Sequence, residues 1–344
     1  MEKVKVGIVG CGMVARYHAS AIEQTDGAEL VCCCSKSAAS AEAFAKEIGK
    51  SIRVYHTYTE MLSDPEMNTV AICSPTGDHF AQAKEALLSG KNLVVEKPLC
   101  IKLEDADELI ELADKKGLAL CTISQTRFSD SAQAIRKAVE NGEFGRMVSA
   151  SLMMRYMRDQ KYYDQAAWRG TFEFDGGGVM MNQGIHGIDL LCYIMGKPVS
   201  VMGYAKTLLR DIEVEDTAAA ALEFENGAVG VIDATVCSIP SFTKKFIFSG
   251  EKGTVILEND VITLWSLPTE CPVKSESSVG GSSSADPKAI STVYHAREYQ
   301  NFTDHLLKGT PLLIDGREGR LPLSVILGVY ESSATGNKVV LDNN

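Results

Sequence analysis

The first third of the chain alternates short apolar runs with segments of helical periodicity. The apolar runs are VKVGIVG, ELVCCC, TVAICS and NLVVEKP, and apolar residues recur every three or four positions in the segments between them. This alternation is typical of a parallel sheet covered by helices on both faces. A further helix at about Leu103–Lys116 and a strand at 118–123 complete the pattern. Residues 1–123 are therefore predicted to form a doubly wound α/β domain.

Beyond residue 123 the pattern changes to longer strands joined by hairpin turns. The stretch AAAALEFENGAVGVIDATV contains Asn226-Gly227, a pair that suits the positive φ values of a type I′ turn. The stretch FIFSGEKGTVILENDVITLW predicts further turns at 250–253 and 258–260. Residues 124–344 are therefore predicted to form an α+β domain with a large, open, mainly antiparallel sheet. The uncovered face of such a sheet favours a homodimer or homotetramer.

One stretch has no periodicity. PTECPVKSESSVGGSSSADPK is rich in serine, glycine and proline, which predicts a mobile surface loop at about 268–290. A tolerated surface insertion is the favoured interpretation of this loop, and substrate gating is the alternative.

Charge narrows the range of partners. The formal net charge of the 344 residues is −11 at pH 7, so the mean field repels phosphate backbones and anionic lipids. Neither nucleic acid nor a membrane is an expected partner. The first apolar stretch is too short, and too soon broken by glycine, for a secretory signal or a membrane span. A cytoplasmic protein is therefore expected.

The ten cysteines do not form a metal-binding pattern. Cys32, Cys33 and Cys34 are consecutive in a strand, and no CxxC pair occurs in the sequence. Adjacent strand residues point to opposite faces, so these three cannot share one ion without distortion. No metal site is predicted, and the cysteines are expected to be reduced and buried as small hydrophobic residues.

A glycine-rich loop follows the first strand. GIVGCGMVA places Gly10, Gly12 and Ala15 in a GxGxxA pattern directly before a helix. The first glycine permits a tight turn, the second lets the backbone approach a pyrophosphate, and the small third residue lets helix and strand pack closely. The phosphates are expected on the helix N-terminus, beside Met13 and Val14. This pattern predicts a dinucleotide-binding Rossmann domain.

The end of the second strand bears on the choice between NAD and NADP. An acidic residue there would accept hydrogen bonds from the 2′-hydroxyl of the adenosine ribose, but the sequence reads Cys34-Ser35-Lys36-Ser37. A lysine and two hydroxyls suit a 2′-phosphate, so NADP is slightly favoured over NAD. The alternative is that these residues only begin a loop, with Ser37 as the cap of the next helix.

Ligands of an open parallel sheet bind beyond the carboxyl ends of the strands. Ser74, Pro75 and Thr76 follow TVAIC, and the sequence Glu96-Lys97-Pro98 follows NLVV. Oxidation of an alcohol requires a base for the hydroxyl proton, and a lysine desolvated beside a cationic nicotinamide suits that role. The alternative for Lys97 is a strand-end lysine paired with Glu96 in solvent.

Polar residues recur along a predicted helix at about 179–195. Asn182, His186, Asp189 and Tyr193 lie three or four positions apart, on one face of that helix. His186 could exchange hydrogen bonds with a substrate hydroxyl that Asn182 orients, while Asp189 fixes the imidazole tautomer or contacts the substrate. The alternative is a core histidine bonded to a backbone carbonyl.

Four blocks together resemble the Gfo/Idh/MocA oxidoreductase family: GIVGCGMVARYH, SPTGDHFAQAKEALLSGKNLVVEKPL, SQTRF and GGGVMMNQGIHGIDLL. Their order and spacing cover residues 4 to about 200. The resemblance implies a Rossmann domain joined to an open sheet, and redox chemistry at a ring carbon of sugars, cyclitols or nucleotide sugars. It maps the catalytic lysine onto Lys97 and the catalytic histidine onto His186. Family members often carry an aspartate where this chain has Asn182, so Lys97 and His186 are expected to carry the proton transfer without a lysine–aspartate relay.

The run MNQGIH preceded by WRG is similar to nucleotide-sugar and glycoside 3-dehydrogenases of that family. Trp168 and Arg169 are then expected near the nicotinamide end, as are Gln125 and Arg127; an ordinary surface or interface arginine is the alternative for Arg169. The expected substrate-binding residues are Lys97, Arg169, Asn182, His186 and Asp189. The expected cofactor-binding residues are Gly10, Gly12, Met13, Val14, Ser35, Lys36, Ser74, Pro75, Thr76, His79, Glu96, Lys97, Gln125, Trp168 and Arg169.

The leading hypothesis is an NAD(P)-dependent dehydrogenase that acts on a CH–OH group of a sugar-like substrate, with Lys97 as general acid/base and His186 assisting. Two alternatives remain. One is an epimerase or glycosidase that oxidises and re-reduces its substrate with a tightly held cofactor. The other is a non-catalytic NAD(P)-sensing regulator, which would have no chemical reason to keep the lysine and the histidine.

Overall fold

The computed structural model describes residues 2–49, 51–166, 168–273 and 292–342. The chain divides into two compact units, of which unit 1 comprises Met1–Gln125 with Thr292–Arg320, and unit 2 comprises Thr126–Ser291 with Leu321–Asn344. Unit 1 thus ends its first segment two residues later than the predicted boundary at residue 123. It also includes 292–320, which the sequence pattern assigned to the second domain. The part of the predicted 268–290 loop from residue 274 onward lies outside the described residues.

The elements follow one another in chain order. The strands are β1 (Val4–Val9), β2 (Ala28–Cys34), β3 (Arg53–Tyr55), β4 (Thr69–Ile72), β5 (Asn92–Val95), β6 (Leu120–Thr122), β7 (Met147–Arg155), β8 (Pro198–Lys206), β9 (Thr217–Phe224), β10 (Val229–Thr235), β11 (Lys245–Gly250), β12 (Gly253–Glu258), β13 (Val261–Trp265) and β14 (Val339–Val340). The α-helices are α1 (Met13–Glu23), α2 (Ala38–Ile48), α3 (Tyr58–Leu62), α4 (His79–Leu88), α5 (Leu103–Lys116), α6 (Asp130–Glu140), α7 (Gln160–Tyr163), α8 (Phe172–Asp175), α9 (Ile185–Met195), α10 (Val293–Lys308) and α11 (Gly316–Thr335). Short 3₁₀ turns span Thr76–Asp78 and Gln125–Phe128, and a π-helical turn spans Val179–Gly184.

Unit 1 contains a six-stranded sheet in the order β3-β2-β1-β4-β5-β6, with every neighbouring pair parallel. The predicted doubly wound sheet is therefore confirmed. Each residue of β4 and β5 is buried, as continuous apolar runs in a doubly covered sheet require. The strand order reverses between β1 and β4, where such sheets bind ligands beyond the carboxyl ends of their strands.

Helix α10 explains why residues 292–320 belong to unit 1. Its Tyr299 and Phe302 are buried in the same apolar core as Ile8 and Ala15 from the N-terminal segment. The helix packs against α1 and β1. The C-terminal part of the chain thus supplies one of the layers that cover the Rossmann sheet.

Unit 2 contains an eight-stranded sheet in the order β13-β12-β11-β7-β10-β9-β8-β14. All neighbouring pairs are antiparallel except β7 and β10, which confirms the predicted mainly antiparallel sheet. Buried and exposed residues alternate along β9, so one face of the sheet is covered and the other is exposed. Helix α9 packs on β7, where a Cβ at Gly187 would come within 2.8 Å of the sulfur of Met154.

The turn between β9 and β10 departs from its predicted type. Gly227 has a φ of +80°, whereas Asn226 does not have the positive φ that a type I′ turn requires. The Asn226 side chain instead accepts a hydrogen bond from the amide of Ala228 at 3.0 Å and donates one to the Met195 carbonyl at 3.0 Å. The type I′ assignment was therefore wrong here. Two consecutive positive φ values occur instead at Asn259 and Asp260, between β12 and β13.

The cysteines are present as free thiols. All ten are free, and Cys32, Cys33 and Cys34 are buried. Within the described ranges no group of three or more His, Cys, Asp or Glu side chains could hold a metal ion. In the same part of the chain no helix is both long enough and apolar enough to cross a membrane.

Candidate functional site

The glycine loop of unit 1 has the geometry that a dinucleotide requires. Gly10 has a φ of +90°, and a Cβ there would lie 2.5 Å from the backbone nitrogen of Ser74. Gly12 begins α1 with no side-chain cap, and a Cβ on it would meet no heavy atom within 4 Å. The first turn of α1 contains no acidic residue. The amides at the helix N-terminus therefore face open space that suits anionic phosphates, so the chain fits the dinucleotide.

A pocket lies beside this loop, within unit 1. Its lining residues are Val9, Gly10, Cys34, Ser35, Lys36, His56, Thr57, Tyr58, Ser74, Pro75, Asp78 and Gln82. Five of the expected cofactor residues are among them: Gly10, Ser35, Lys36, Ser74 and Pro75. The segment 56–58, which follows β3, was not among the predicted residues, although ligands of a parallel sheet bind beyond the end of β3 as they do beyond its neighbours.

Lys36 does not stand alone in the pocket. Its Nζ donates to both carboxylate oxygens of Asp78 at 2.9 Å. Asp78 ends the 3₁₀ turn after β4, so it is remote in sequence from the residues that follow β2. The carboxylate that the sequence lacked after β2 is thus supplied by another segment of the chain.

Glu96 and Lys97 follow β5 directly. Glu96 is 8% exposed, and its Oε1 lies 2.8 Å from Nε2 of His18. Its Oε2 accepts a hydrogen bond from the backbone amide of Lys97 at 3.1 Å. The Nδ1 of His18 lies 2.6 Å from the hydroxyl of Tyr299, and both of these residues are buried. The carboxylate of Glu96 is thus buried against His18.

The protonation of this buried group follows from its contacts. Burial raises the pKa of Glu96, but the hydrogen bond and the positive charge of His18, with Lys97 nearby, lower it well below its ordinary value. Burial lowers the pKa of His18, whereas its acidic neighbours Cys73, Tyr299 and Glu96 raise it well above 6.5. Both directions indicate a carboxylate paired with an imidazolium.

His79, an expected cofactor residue, lies behind the pocket rather than on its lining. Its Nδ1 lies 2.8 Å from the carbonyl oxygen of Pro98, and its Nε2 lies 3.0 Å from that of Ser74. The imidazole is 1% exposed, and burial lowers its pKa. His79 therefore links the two loops that follow β4 and β5.

The predicted helix at 179–195 consists of two parts in unit 2. Residues Val179–Gly184 form a π-helical turn, and α9 begins only at Ile185. Glu215, which sequence reasoning missed, supports the turn: it accepts the amides of Gly178 at 2.7 Å and Met180 at 2.9 Å, and the Tyr330 hydroxyl at 2.8 Å. Burial raises the pKa of Glu215 despite these hydrogen bonds. A Cβ on Gly178 would collide with the Glu215 carbonyl, which explains a glycine there.

The polar stripe of this segment is divided by burial. Asn182 and His186 are half-buried, and the Asn182 amide lies 3.5 Å from an Asp175 oxygen. Asp189 is 2% exposed and accepts from Nε and an Nη of Arg127 at 2.9 and 2.6 Å. Arg127 is fully buried, with its guanidinium 4.7 Å from the centre of the Tyr193 ring. Asp189 was expected to contact the substrate and Arg127 to lie near the nicotinamide, but the two residues form a buried ion pair with each other.

Arg169 lies between aromatic rings in unit 2. Its guanidinium carbon lies 4.4 Å from the ring centre of Tyr162 and 5.2 Å from that of Trp168. Its Nε is buried without a hydrogen-bond partner among the described residues. The guanidinium of Arg158 lies 5.6 Å from the same Tyr162 ring. Arg158 is only 9% exposed, so the half-buried Arg169 is the more accessible of the two guanidinium groups beside this ring.

The other expected cofactor residues occupy varied positions. Met13 is exposed at the start of α1, where Val14 follows it, and Thr76 begins the 3₁₀ turn after β4. Gln125 is buried, and its Oε1 has no hydrogen-bond partner in the described part of the chain.

Comparison with known proteins gives the family. The model described as "Oxidoreductase family, NAD-binding Rossmann fold" matches residues 4–124, and "GFO/IDH/MocA C-terminal domain" matches 132–256. The WlbA dehydrogenase of Bordetella pertussis, solved with NADH and UDP-GlcNAcA, is 32% identical with a TM-score of 0.87 over 99% of each chain. The chain belongs to the Gfo/Idh/MocA oxidoreductase family. Among curated members, scyllo-inositol 2-dehydrogenase (NAD(+)) of Bacillus subtilis is 26% identical over 99% of this chain and 97% of its own. D-glucoside 3-dehydrogenase of Escherichia coli is 26% identical over 98% and 97%.

This Gfo/Idh/MocA protein is thus an NAD-binding oxidoreductase, and the predicted class of NAD(P)-dependent dehydrogenase is confirmed. The residues of unit 1 provide what such a protein needs: an uncapped helix N-terminus behind Gly10 and Gly12, and a pocket between the ends of neighbouring strands. When bound, the nicotinamide supplies the group that accepts or donates hydride.

Proposed function

We propose that this protein transfers a hydride between a nicotinamide cofactor and a ring hydroxyl of a sugar derivative, cyclitol or nucleotide sugar. Of these three classes, we propose nucleotide sugars as its substrates. The observation that carries the proposal is the position of Lys97. This residue lies two positions after the end of β5, the strand that neighbours β4, and Ser74 and Pro75, just beyond β4, line the pocket beside the glycine loop. An amine at this strand end can exchange a proton with a substrate hydroxyl as hydride leaves carbon.

Lys97 is the general acid/base in this proposal, and His186 assists it, as the family resemblance implies. Asn182 orients the substrate hydroxyl and carries no proton, because an amide has no titratable proton in this pH range. Asp189 is withdrawn from the substrate-binding set, because Arg127 occupies both of its oxygens.

Two features favour a nucleotide sugar over a neutral cyclitol. The WlbA dehydrogenase, which resembles this chain over 99% of both lengths, was solved with UDP-GlcNAcA. The half-buried Arg169 packs its guanidinium on the Tyr162 ring, and guanidinium groups bind phosphate or carboxylate oxygens well. A substrate that carries a diphosphate or a uronate would complement this positive charge, whereas inositol offers no charge to it.

For the cofactor, we infer a preference opposite to the one drawn from the sequence. NADP was slightly favoured because no carboxylate follows β2. Asp78 provides that carboxylate, and it neutralises the lysine that was expected to bind the 2′-phosphate. We infer that NAD is preferred, because a 2′-phosphate near Asp78 would meet like charge.

A homo-oligomer formed through the exposed face of the unit 2 sheet completes the proposal. Met202, Tyr204, Val229 and Val231 are each more than half exposed, and they lie on β8 and β10, on either side of β9. Ala221 of β9 pairs with both Met202 and Val231, so these apolar side chains form one continuous patch. A second copy of the chain is the occupant that closed symmetry provides for such a patch.

The test is turnover with a substrate panel, followed at the nicotinamide absorbance. NAD and NADP would be offered with UDP-GlcNAcA, other UDP-sugars, aldoses and inositols, after the purified protein is checked for bound cofactor. Lys97→Met should lower kcat by about 10²- to 10⁴-fold, the range that general acid–base catalysis contributes, while NADH binding persists. Lys102→Met is the matched control, because Lys102 is an exposed lysine five residues away.

The alternatives give different results. Tightly held cofactor and a changed product without net absorbance change would favour an epimerase or glycosidase. Binding of dinucleotide without any product would favour the regulator. Full turnover by Lys97→Met would contradict the assignment of Lys97.

A further inference from the structure

Two buried histidines of unit 1 contact the residues immediately before and after Lys97 in the chain. Oε1 of Glu96, the residue before Lys97, lies 2.8 Å from His18 on α1. The carbonyl of Pro98, the residue after Lys97, lies 2.8 Å from His79, which begins α4. Glu96 Oε2 also accepts the Lys97 amide itself, at 3.1 Å. The backbone on both sides of the expected acid/base is therefore anchored to helices on which the sheet packs.

Stability alone does not account for the His18–Glu96 pair. Taking two charges out of water costs several kcal/mol per ion, so replacing a buried pair by apolar residues is often neutral or stabilising. His18 is fully buried, and its second nitrogen is held by the hydroxyl of Tyr299, itself 1% exposed. Three segments of the chain are thus committed to holding one carboxylate. The other oxygen of this carboxylate accepts the hydrogen bond from the backbone amide of Lys97.

We propose that the buried chain Tyr299–His18–Glu96 is a positioning device for Lys97, with His79 as a second anchor on the Pro98 carbonyl. The proposal rests on the role of Lys97 in the proposed function. Because Glu96 binds His18 with one oxygen and the Lys97 amide with the other, a rotation of the carboxylate would move the backbone that carries the amine. The negative charge of Glu96 also lies one residue from the amine, so the device influences both the place and the basicity of the catalytic group.

Other titratable groups face this chain from the neighbouring elements. Cys73 follows β4, Lys97 follows β5, and His295 and Tyr299 come from α10; the ring centre of His295 lies 6.0 Å from that of His18. A change in a pH profile is therefore assigned to Glu96 only by comparing variants that differ at Glu96 alone.

The test compares Glu96→Gln with a matched control. Asp64→Asn is suitable, because Asp64 is also a carboxylate of unit 1, 3% exposed, paired with an arginine and bonded to a backbone amide. It does not line the pocket. The measurements are kcat and KM with NADH-linked turnover, the pH profile of kcat, the NADH Kd, the melting temperature, and amide hydrogen exchange of the peptide that contains Lys97.

We expect Glu96→Gln to lower kcat by about 100-fold, the loss that an ångström-scale misplacement of a catalytic group produces. KM and the NADH Kd should stay within about 2-fold, since the lost interaction acts on the chemical step. The pH profile should shift, and exchange at the Lys97 amide should accelerate. Tyr299→Phe, which keeps the ring and removes the hydroxyl, should produce the same changes more weakly. Asp64→Asn should lower the melting temperature without any of them.

Two outcomes overturn the proposal. In one, Glu96→Gln loses thermal stability as the control does but keeps the wild-type kcat, pH profile and amide exchange. In the other, kcat falls but the pH profile and the Lys97 amide do not change. Amide exchange needs no substrate, so the device can be tested even if the wild-type protein turns over nothing, a result that would reject the proposed function instead.

Discussion

The buried ion pair between Arg127 and Asp189 allows the structural and the substrate-binding roles of Asp189 to be separated. Asp189→Ala removes a carboxylate that is 2% exposed and leaves the fully buried Arg127 guanidinium without it. Removing one partner of a buried pair typically costs about 3–5 kcal/mol. With an m value of about 2.5 kcal/mol/M, the urea midpoint of unit 2 should fall by about 1–2 M.

Tryptophan fluorescence is a suitable probe for this measurement. The chain has two tryptophans, Trp168 and Trp265, and both belong to unit 2, so the signal reports the unit that carries the ion pair. The double variant Arg127→Met with Asp189→Leu removes both charges, and most of the lost stability should return, because apolar residues of similar volume often replace a buried pair at little cost.

The opposite pattern would refute this reasoning. If Asp189 contacts substrate instead, Asp189→Ala should raise KM strongly while the urea midpoint moves by less than about 0.3 M, a small part of the fall expected for a broken buried pair. A double variant no more stable than Asp189→Ala would also contradict the view that an uncompensated arginine is the cause.

Four further predictions follow from the geometry. Asp78→Asn should tighten NADPH binding about tenfold relative to NADH in fluorescence titrations, because it removes one negative charge a few ångströms from the 2′-phosphate at a partly exposed position. An unchanged ratio of the two dissociation constants would mean that the 2′-position of the ribose lies elsewhere. Val231→Lys should convert the oligomer into monomers in sedimentation analysis, and an unchanged mass would exclude the unit 2 sheet face. Gly10→Ala should weaken NADH binding at least tenfold and lower the melting temperature, because its Cβ would lie 2.5 Å from the Ser74 nitrogen at a φ of +90°. Because the pKa of Glu96 is lowered in the folded protein, the stability that its carboxylate contributes is present above pH 4.5 and is lost as pH falls below that value. Because the pKa of His18 is raised, the stability that its imidazolium contributes is complete below pH 6.5 and is lost as pH rises. The difference in unfolding free energy between wild type and Glu96→Gln should therefore peak between pH 4.5 and 6.5, and a peak at higher pH would mean that His18 is neutral.

The parts of the fold that local pattern determines were predictable. Helix α5 has the bounds that the apolar periodicity predicted, Leu103–Lys116, and five of the six parallel strands follow from apolar runs. The edge strand β3 was not predicted, because its three residues form no apolar run. The return of α10 to unit 1 had no local signal. An amphipathic stripe predicts that Tyr299 and Phe302 are buried, but it does not name the core that buries them.

The candidate site was predictable where strand ends define it. Lys97, Ser74 and Lys36 were found because the carboxyl ends of parallel strands share one edge of the sheet. His18 was missed, although a signal existed: it lies one turn after the buried Ala15, so it points into the core, where a polar side chain needs a partner. That partner, Glu96, lies 78 residues away in sequence, so only the tertiary structure identifies it.

The polar stripe on the 179–195 segment shows the limit of periodicity most clearly. Spacings of three and four residues predicted polar groups on one side of a single helix, but a π-helical turn precedes α9, so the first part does not keep the α-helical register. Periodicity also says nothing of depth. Asn182 and His186 remain half-buried, whereas Asp189 reaches the interior and meets Arg127. A charged residue in a polar stripe can therefore be buried, and it then needs a buried counter-charge, as Asp189 does. A polar residue that stays partly accessible, such as His186, is the better candidate for contact with substrate.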